Sequence, residues 1–252
     1  MNSETAENNN KEIQLSVVVP VFNEIDNVTP LVDEIVAALS DRYSHEIIYV
    51  DDGSSDGTSE LLASLERSNP AFRFFCHQKN AGQSAAIATG VAHARGLVIA
   101  TLDGDGQNDP ADIPKLVDAL NRGGREGLHD TLVVGRRRKR RDTWIRRISS
   151  RVANGVRSRM LKDNTPDTGS GLKVFSRQTF LDLPKFDHMH RFLPALVIRN
   201  RGRVISIEVN HRQRKRGTSK YGIHNRMWVG LIDLAGVMWL QRRAICPDLK
   251  NR

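Results

Sequence analysis

The residues able to do chemistry gather at the ends of apolar runs. Asp103-Gly104-Asp105-Gly106-Gln107 follows Leu97–Leu102, Glu24 follows Leu15–Phe22, and Asp51, Asp52 and Asp56 follow Glu46–Val50. Carboxylates crowded on one rim repel and raise each other's pKa, and a divalent cation relieves the repulsion. Hard oxygen ligands favour magnesium or manganese, which take one or two protein carboxylates and complete the shell with phosphate oxygens. Two aspartates one residue apart can point at one ion, the glycines admit a close ligand, and Gln107 offers a neutral oxygen. Asp and Gly also favour ordinary turns. The place after a buried strand, with two other acidic strand ends, favours the metal reading.

The elements that must position these residues are legible from periodicity. Leu15–Phe22 is a valine-rich apolar run that predicts a buried strand. Val28, Leu31, Val32, Ile35, Val36 and Leu39 form one helical stripe, with Asn27 as cap and Pro30 in the first turn. Strands are then expected at Glu46–Val50, Phe72–Cys76, Leu97–Leu102 and Thr131–Val134. Helices are expected at Thr58–Ser68, Gln83–Ala94 and Ile113–Asn121. This alternation predicts an α/β fold, a mostly parallel central sheet with helices on both faces, and ligands beyond the carboxyl ends of its strands. Farther on, Ile145–Leu161 predicts a helix, Gly171–Phe175 and Val204–Val209 predict strands, and Trp228–Arg243 predicts an apolar helix with a basic end. One domain is expected over 13–226, with 227–252 as a terminal helix suited to a membrane interface or an oligomer contact.

At 252 residues, 39% hydrophobic, the chain can bury a core, and global disorder is not expected. Residues 1–12 are polar, lack the apolar stretch of a signal peptide, and predict a disordered tail. No apolar run reaches the roughly 18–20 residues needed to span a bilayer; Met227–Leu240 comes nearest and carries Asp233. Cys76 and Cys246 are too few for a disulfide scaffold or a four-cysteine zinc site, and Cys76 is expected in the core. The G-x-G-x-x-G and P-loop signatures are missing, which argues against dinucleotide and P-loop chemistry. His188, His190 and His211 are read as structural or acceptor-site packing, without a third ligand to make a metal site.

Val17–Glu24 (VVVPVFNE), Val50–Thr58 (VDDGSSDGT), Asn80–Gly90 (NAGQSAAIATG) and Asp103–Pro110 (DGDGQNDP), in this order, resemble family 2 glycosyltransferases of GT-A fold. Asp167–Phe175 (DTGSGLKVF) and Arg214–Tyr221 (RKRGTSKY) narrow the likeness to the polyprenyl-phosphate sugar transferases typified by dolichol-phosphate mannose synthase. The resemblance runs from about Leu15 to Arg243. It implies that Pro20, Phe22, Glu24, Val50 and Asp52 line the base and ribose pocket, Phe22 standing where a tyrosine is often found. Asp103, Gly104 and Asp105 would meet ribose and diphosphate. Asp105 and Gln107 would hold Mg2+ or Mn2+ with Asp103 nearby. Arg137, Arg214 and Lys220 would bind the diphosphate, and Arg146 and Ser150 the acceptor phosphate.

The implied reaction is inverting transfer of mannose or a similar hexose from a GDP- or UDP-linked sugar to a polyprenyl phosphate, at the cytosolic face of a membrane. A lipid phosphomonoester, with a second pKa of about 6, needs positioning and charge neutralisation rather than a strong base, so no base is assigned. A saccharide or other lipid acceptor is the alternative, with Asp167 as base; otherwise Asp167 orders the loop near the acceptor. The run Arg136–Arg141 admits three readings: a solvated loop, attraction to an anionic membrane surface, or nucleic-acid binding. The second is favoured, and no nucleic-acid partner is expected because aromatic interleaving is lacking. Trp228 and Trp239 with Arg242 and Arg243 suit an interface. With Arg252 as last residue, membrane contact is expected to be peripheral or supplied by a partner, and a homo-oligomer is an open alternative.

Overall fold

The computed structural model describes residues 13–122, 130–137, 158–163, 165–214 and 224–243, with side chains of the last stretch from Gly230 onward. The expected tail over 1–12, positions 138–141 of the basic run, most of the helix expected at Ile145–Leu161, and Cys246 lie outside these residues.

Seven strands form one mixed sheet: β1 Leu15–Val21, β2 His45–Asp51, β3 Phe72–Cys76, β4 Val98–Thr101, β5 Thr131–Arg137, β6 Lys173–Ser176 and β7 Arg203–Val209, in the order β3-β2-β1-β4-β6-β5-β7. β1 pairs in parallel with β2 and β4, and β2 with β3. β6 runs antiparallel to both neighbours, β4 and β5, while β5 and β7 are parallel. The last three strands therefore extend the same sheet.

Every residue of β1 is buried, as expected of a strand covered on both faces. Successive side chains point to opposite faces. Val17, Val19 and Val21 meet Val28, Leu31, Ile35 and Leu39 of α1 (Ile25–Leu39), Leu62 of α2 (Thr58–Ser68) and Leu116 and Leu120 of α4 (Ile113–Asn121). Val18, with Ile48 and Val50 of β2, meets the other layer. That layer holds Ala86, Ile87 and Val91 of α3 (Gln83–His93), Phe180 of α5 (Arg177–Leu181) and Leu193 and Leu196 of α6 (Leu193–Arg199). The terminal helix α7 (His224–Arg242) begins earlier than its apolar run predicted and packs Leu234 and Val237 into this second layer. Its outer side leaves Leu231, Ile232 and Trp239 exposed.

The chain steps outward from β1 through β2 to β3, then returns to β4 on the other side of β1. That reversal opens a crevice at the carboxyl ends of β1 and β4, where open α/β sheets take ligands. Pro20 helps to open it. Val18 O accepts from Leu102 N at 3.1 Å and Val21 O from Asp52 N at 2.9 Å. In a parallel ladder alternate residues face alternate neighbours, so Pro20, without an N–H, faces β4, and the β1–β4 register ends at Val18 and Thr101.

Candidate active site

The loop after β4 is built to lie against β1. A Cβ at Gly104 would fall 2.5 Å from Val21 Cγ1 and 3.0 Å from Pro20 O, so only a glycine fits that approach. Asp103 N donates to Asn108 Oδ1 at 3.0 Å, and Gln107 N to Asp105 Oδ1 at 3.1 Å, which closes the turn. Asp109 accepts from Ala111 N and starts the short 3-10 turn Pro110–Asp112 before α4.

Asp103 is partly buried, and its Oδ1 accepts from Gln83 Nε2 at 2.8 Å. Loss of solvent, followed by the charge of Asp105, pushes its carboxyl up to about 6. A cation shared by the two acids would remove that repulsion. Among the described residues no group of three or more His, Cys, Asp and Glu converges as a metal cage. The pair Asp103 and Asp105 with Gln107 instead suits an ion that takes few protein carboxylates and several phosphate oxygens. These residues fit Mg2+ or Mn2+.

The other rim acids do not crowd onto one point. Asp52 accepts from Ala81 N and Gly82 N, each at 2.8 Å, and meets His77 Nδ1 at 2.7 Å. Asp51 is fully buried and accepts from Ser54 and Ser59. Asp56 accepts from Thr58 N and Ile25 N, joining the starts of α2 and α1. The expected convergence of all the acids is corrected for this reason: backbone and hydroxyl donors of neighbouring loops satisfy Asp51, Asp52 and Asp56 one at a time. Val50 is likewise buried in the core, so only main-chain atoms at that position are available to a nucleotide.

Glu24 lies at the mouth of the crevice. Its Oε2 accepts from Asn27 Nδ2 at 2.6 Å, and its Oε1 accepts from Arg214 Nη2. The structure thus brings Arg214 onto Glu24. The segment leading to Arg214 is strapped onto the Asp103–Gln107 loop. Arg212 N donates to Gln107 O at 2.9 Å, Asn108 bridges His211, and Asn210 N donates to Asp112 Oδ2 at 2.7 Å. The Arg212 guanidinium reaches Asp109 at 2.8 Å and Glu34 at 2.5 Å. A cleft of about 140 Å³ opens here between Asn27, Pro30, Glu34, Asp105, Gly106 and Arg212. Phe22 is partly exposed at the end of β1.

Across the crevice, Arg137 at the end of β5 is held by Asp167. Nε donates to Oδ2 and Nη2 to Oδ1, both at 2.7 Å, and Arg137 N also reaches Oδ2 at 3.3 Å. This two-pronged pair ties the loop that carries Asp167 to the end of β5. Gly171, in the same loop, supplies a seat for Asp103: a Cβ there would fall 2.2 Å from the carboxylate. Lys173, the first residue of β6, is 4% exposed, and its Nζ donates to Ser170 O. Burial pulls its ammonium down to about 8 against the opposing pull of Asp103 and Asp167.

Arg146, Ser150 and Lys220 lie outside the described residues. Arg136 makes a 3.7 Å, half-exposed contact with Glu208. His188 and His190 part company: His188 meets Asp233 of α7 at 3.0 Å, and His190 meets Ser84 Oγ at 2.7 Å. Burial, helped by Lys173, holds His190 well below its ordinary value, so it stays neutral. Cys76 is exposed, contrary to expectation, because β3 is the sheet's edge and Cys76 its last residue. Sequence reading passed over Gln83, His77, Arg212 and Lys173. Only Lys173 carried a signal, a charge within the otherwise apolar run Leu172–Phe175.

Residues 16–183 match the family model of Glycosyl transferase family 2. A dodecaprenyl-phosphate galacturonate synthase of Rhizobium johnstonii is 39% identical over 243 residues, covering 94% of this chain and 70% of the relative. An undecaprenyl-phosphate 4-deoxy-4-formamido-L-arabinose transferase of Edwardsiella ictaluri is 36% identical over 217 residues. The match covers 84% of this chain but 65% of that relative, so this chain spans less than two thirds of its length. Among solved structures, glucosyl-3-phosphoglycerate synthase from Mycobacterium tuberculosis with UDP superposes at a TM-score of 0.66, with 18% identity over 94% of this chain and 82% of that one. A mannosyltransferase from Pyrobaculum calidifontis with GDP-Man and Mn2+ superposes at 0.63, with 20% identity over 95% of this chain and 67% of that one. At such identities the likeness speaks for the fold, which is of GT-A type. The motif order, the mixed sheet and the match over residues 16–183 lead to one conclusion: the chain belongs to glycosyl transferase family 2.

Proposed function

We propose that the chain is an inverting, metal-dependent glycosyltransferase that moves a sugar from a nucleoside diphosphate to a polyprenyl phosphate at the cytosolic face of a membrane. One observation carries the reading. The Asp103–Gln107 loop sits in the switch-point crevice with an arginine–carboxylate pair on each side, Arg214–Glu24 and Arg137–Asp167. The names of the curated relatives, both polyprenyl-phosphate enzymes, support the acceptor class.

In this reading Glu24, Pro20 and Phe22 border the nucleoside, with the main chain at Val50 and the Asp52 loop behind them. Asp105 and Gln107 would hold Mg2+ or Mn2+, which would supply positive charge to a departing diphosphate. Arg214 and Lys220 add positive charge on the same side, and Arg137 borders it from the other. Arg146 and Ser150 hold the acceptor phosphate, whose oxygen attacks the anomeric carbon opposite the departing diphosphate and inverts it. A phosphate that is already anionic needs no general base. The saccharide-acceptor alternative requires Asp167 as base, and both of its oxygens already accept from Arg137. The exposed Leu231, Ile232 and Trp239 beside Arg242 and Arg243 suit peripheral contact with an anionic bilayer. No described helix is long and apolar enough to cross one.

The donor sugar is the finer question. The resemblance implied mannose or a similar hexose; the relatives are named for galacturonate and for 4-deoxy-4-formamido-L-arabinose. Thermal-shift screening of GDP- and UDP-linked sugars, with and without Mn2+, addresses donor and metal together. A donor at a hundred times its Kd stabilises by about 2.7 kcal/mol, a Tm rise of roughly 5–10 °C at this size. Product analysis with polyprenyl phosphate and with soluble sugars then separates the acceptors. A chain that bound no nucleotide sugar, or that glycosylated only soluble sugars, would overturn the proposal.

A further inference from the structure

Strand β7 runs parallel to β5 and so ends at the rim where Arg137 lies. The next residues run along the loop after β4. Asn210 N donates to Asp112 Oδ2 at 2.7 Å, His211 pairs with Asn108 in an antiparallel bridge, and Arg212 N donates to Gln107 O at 2.9 Å. Asn108 is buried and also accepts from Asp103 N, so this strap is seated on the inner part of the loop. One side chain then ties the strap to a third element. Arg212 Nη1 donates to Glu34 Oε2 of α1 at 2.5 Å, and Nη2 donates to Asp109 Oδ1 at 2.8 Å. A guanidinium forks its donors in one plane and can hold two acids in a fixed geometry, whereas an ammonium on a flexible stem acts as a point charge. Single exposed ion pairs contribute little, but one cation shared by α1, the loop and the strap makes a network. Two residues further on, Arg214 Nη2 donates to Glu24 Oε1 where α1 begins.

We propose that Arg212 is a positioning residue: by bridging Glu34 of α1 and Asp109 of the loop after β4, it fixes the strap and aims Arg214 at the donor diphosphate. The inference rests on the donor-site reading above, in which Arg214 serves the diphosphate, and adds the residue that places it. Arg212 acts at one remove. Its two guanidinium nitrogens are engaged by Glu34 and Asp109, while Arg214 extends to the mouth of the crevice beside Glu24.

Full-length Arg212→Met, Arg212→Lys, Arg214→Met and the double variant Arg212→Met/Arg214→Met test this. In calorimetric titration with UDP, UMP, GDP and GMP, Mn2+ being present, Arg212→Met should weaken the preferred diphosphate about tenfold and the matching monophosphate little. Equal losses for the two would overturn the proposal, because a brace that only held the fold together would not single out the second phosphate. In sugar transfer, Arg212→Met should lower kcat/KM for the donor about tenfold to a hundredfold, and much less when Arg214 is already methionine. Strictly additive losses would show that Arg212 does not act through Arg214. Arg212→Lys should recover part of the loss, since it restores the charge without the fork; wild-type behaviour of Arg212→Met would sink the idea. If Arg212→Met fails to fold, Glu34→Gln and Asp109→Asn each remove one prong and should show smaller losses confined to the diphosphates. Should both melt and bind as wild type, the brace is refuted. A wild-type chain that bound neither UDP nor GDP would remove the donor-site reading instead. The Tm shifts of Arg212→Met and Glu34→Gln, singly and combined, would still decide the brace, additive shifts refuting it.

Discussion

An alanine at Gly171 would intrude directly on the seat of Asp103. Its Cβ would fall 2.2 Å from Cγ and Oδ2 of that carboxylate and 2.4 Å from Oδ1, where ordinary contact begins near 3.4 Å. The carboxylate must retreat by roughly 1 Å, and its 2.8 Å bond to Gln83 Nε2 is lost or badly stretched. Hydrogen bonds to charged groups contribute about 1.5–3 kcal/mol. A misplacement of about 1 Å in a reacting constellation costs on the order of a hundredfold in rate, close to 2.7 kcal/mol of barrier. The fold should survive, because overpacking of one methyl costs about 1–3 kcal/mol, a fraction of the roughly 5–15 kcal/mol of a typical domain. The assay pairs sugar transfer with a thermal melt of the same preparation. A Gly171→Ala protein that melts cooperatively and turns over within about twofold of wild type would show that a 1 Å shift of Asp103 is harmless. The account of its seat would then be wrong.

Asp167→Asn should loosen Arg137, because an amide cannot accept both guanidinium N–H groups; donor KM should rise about tenfold or more, in line with one charged hydrogen bond, with a smaller change in kcat. A collapse of kcat at unchanged donor KM would instead point to Asp167 as a base. Gly90→Ala should lower Tm by roughly 2–4 °C, since its Cβ would lie 2.4 Å from Val18 Cγ1 and the strain exceeds the helix-propensity gain of about 1 kcal/mol; an unchanged or higher Tm would show that Val18 yields freely. Glu46 supplies a pH test: burial alone would push it up, but bonds from Ser16, the Arg95 amide and Arg73 hold it below its ordinary value. Folded Glu46 therefore binds its proton less tightly than the unfolded chain does, so its stabilisation is present above the unfolded pKa of about 4.3 and fades as pH falls through the folded value. The Tm gap between wild type and Glu46→Gln should be open at pH 7 and close on acidification below about pH 4; a gap that widened there would reverse the sign.

Strand positions were readable because each strand is an apolar run bounded by polar turns, and all seven appear near their expected places. Strand direction was not readable in the same way. Nothing in Lys173-Val174-Phe175-Ser176 says that it runs against its neighbours; the preceding connection decides that. The helices Arg177–Leu181 and Leu193–Arg199 are too short to show a stripe. In the site, the D-G-D loop was legible from residue types after a buried strand. The partners of Asp51, Asp52 and Asp56 were not, because they are main-chain amides and hydroxyls brought by folding from residues such as Ala81 and Gly82. Acidic residues alone therefore read as one crowd, when three of them are loop fasteners. Arg212 was hidden likewise: its value lies in tying Asp109 to Glu34, a link that only the folded chain makes.

Pro20 has one more consequence. A strand lacking a donor at that place cannot be zipped to its neighbour beyond Thr101, however well their side chains match. The parting of the two strands is written into the main chain, and Gly104 brings the Asp103–Gln107 loop against the strand end so released. Binding there need break no hydrogen bond of the β1–β4 ladder. Affinity gained in the crevice is not first spent on prising the sheet apart.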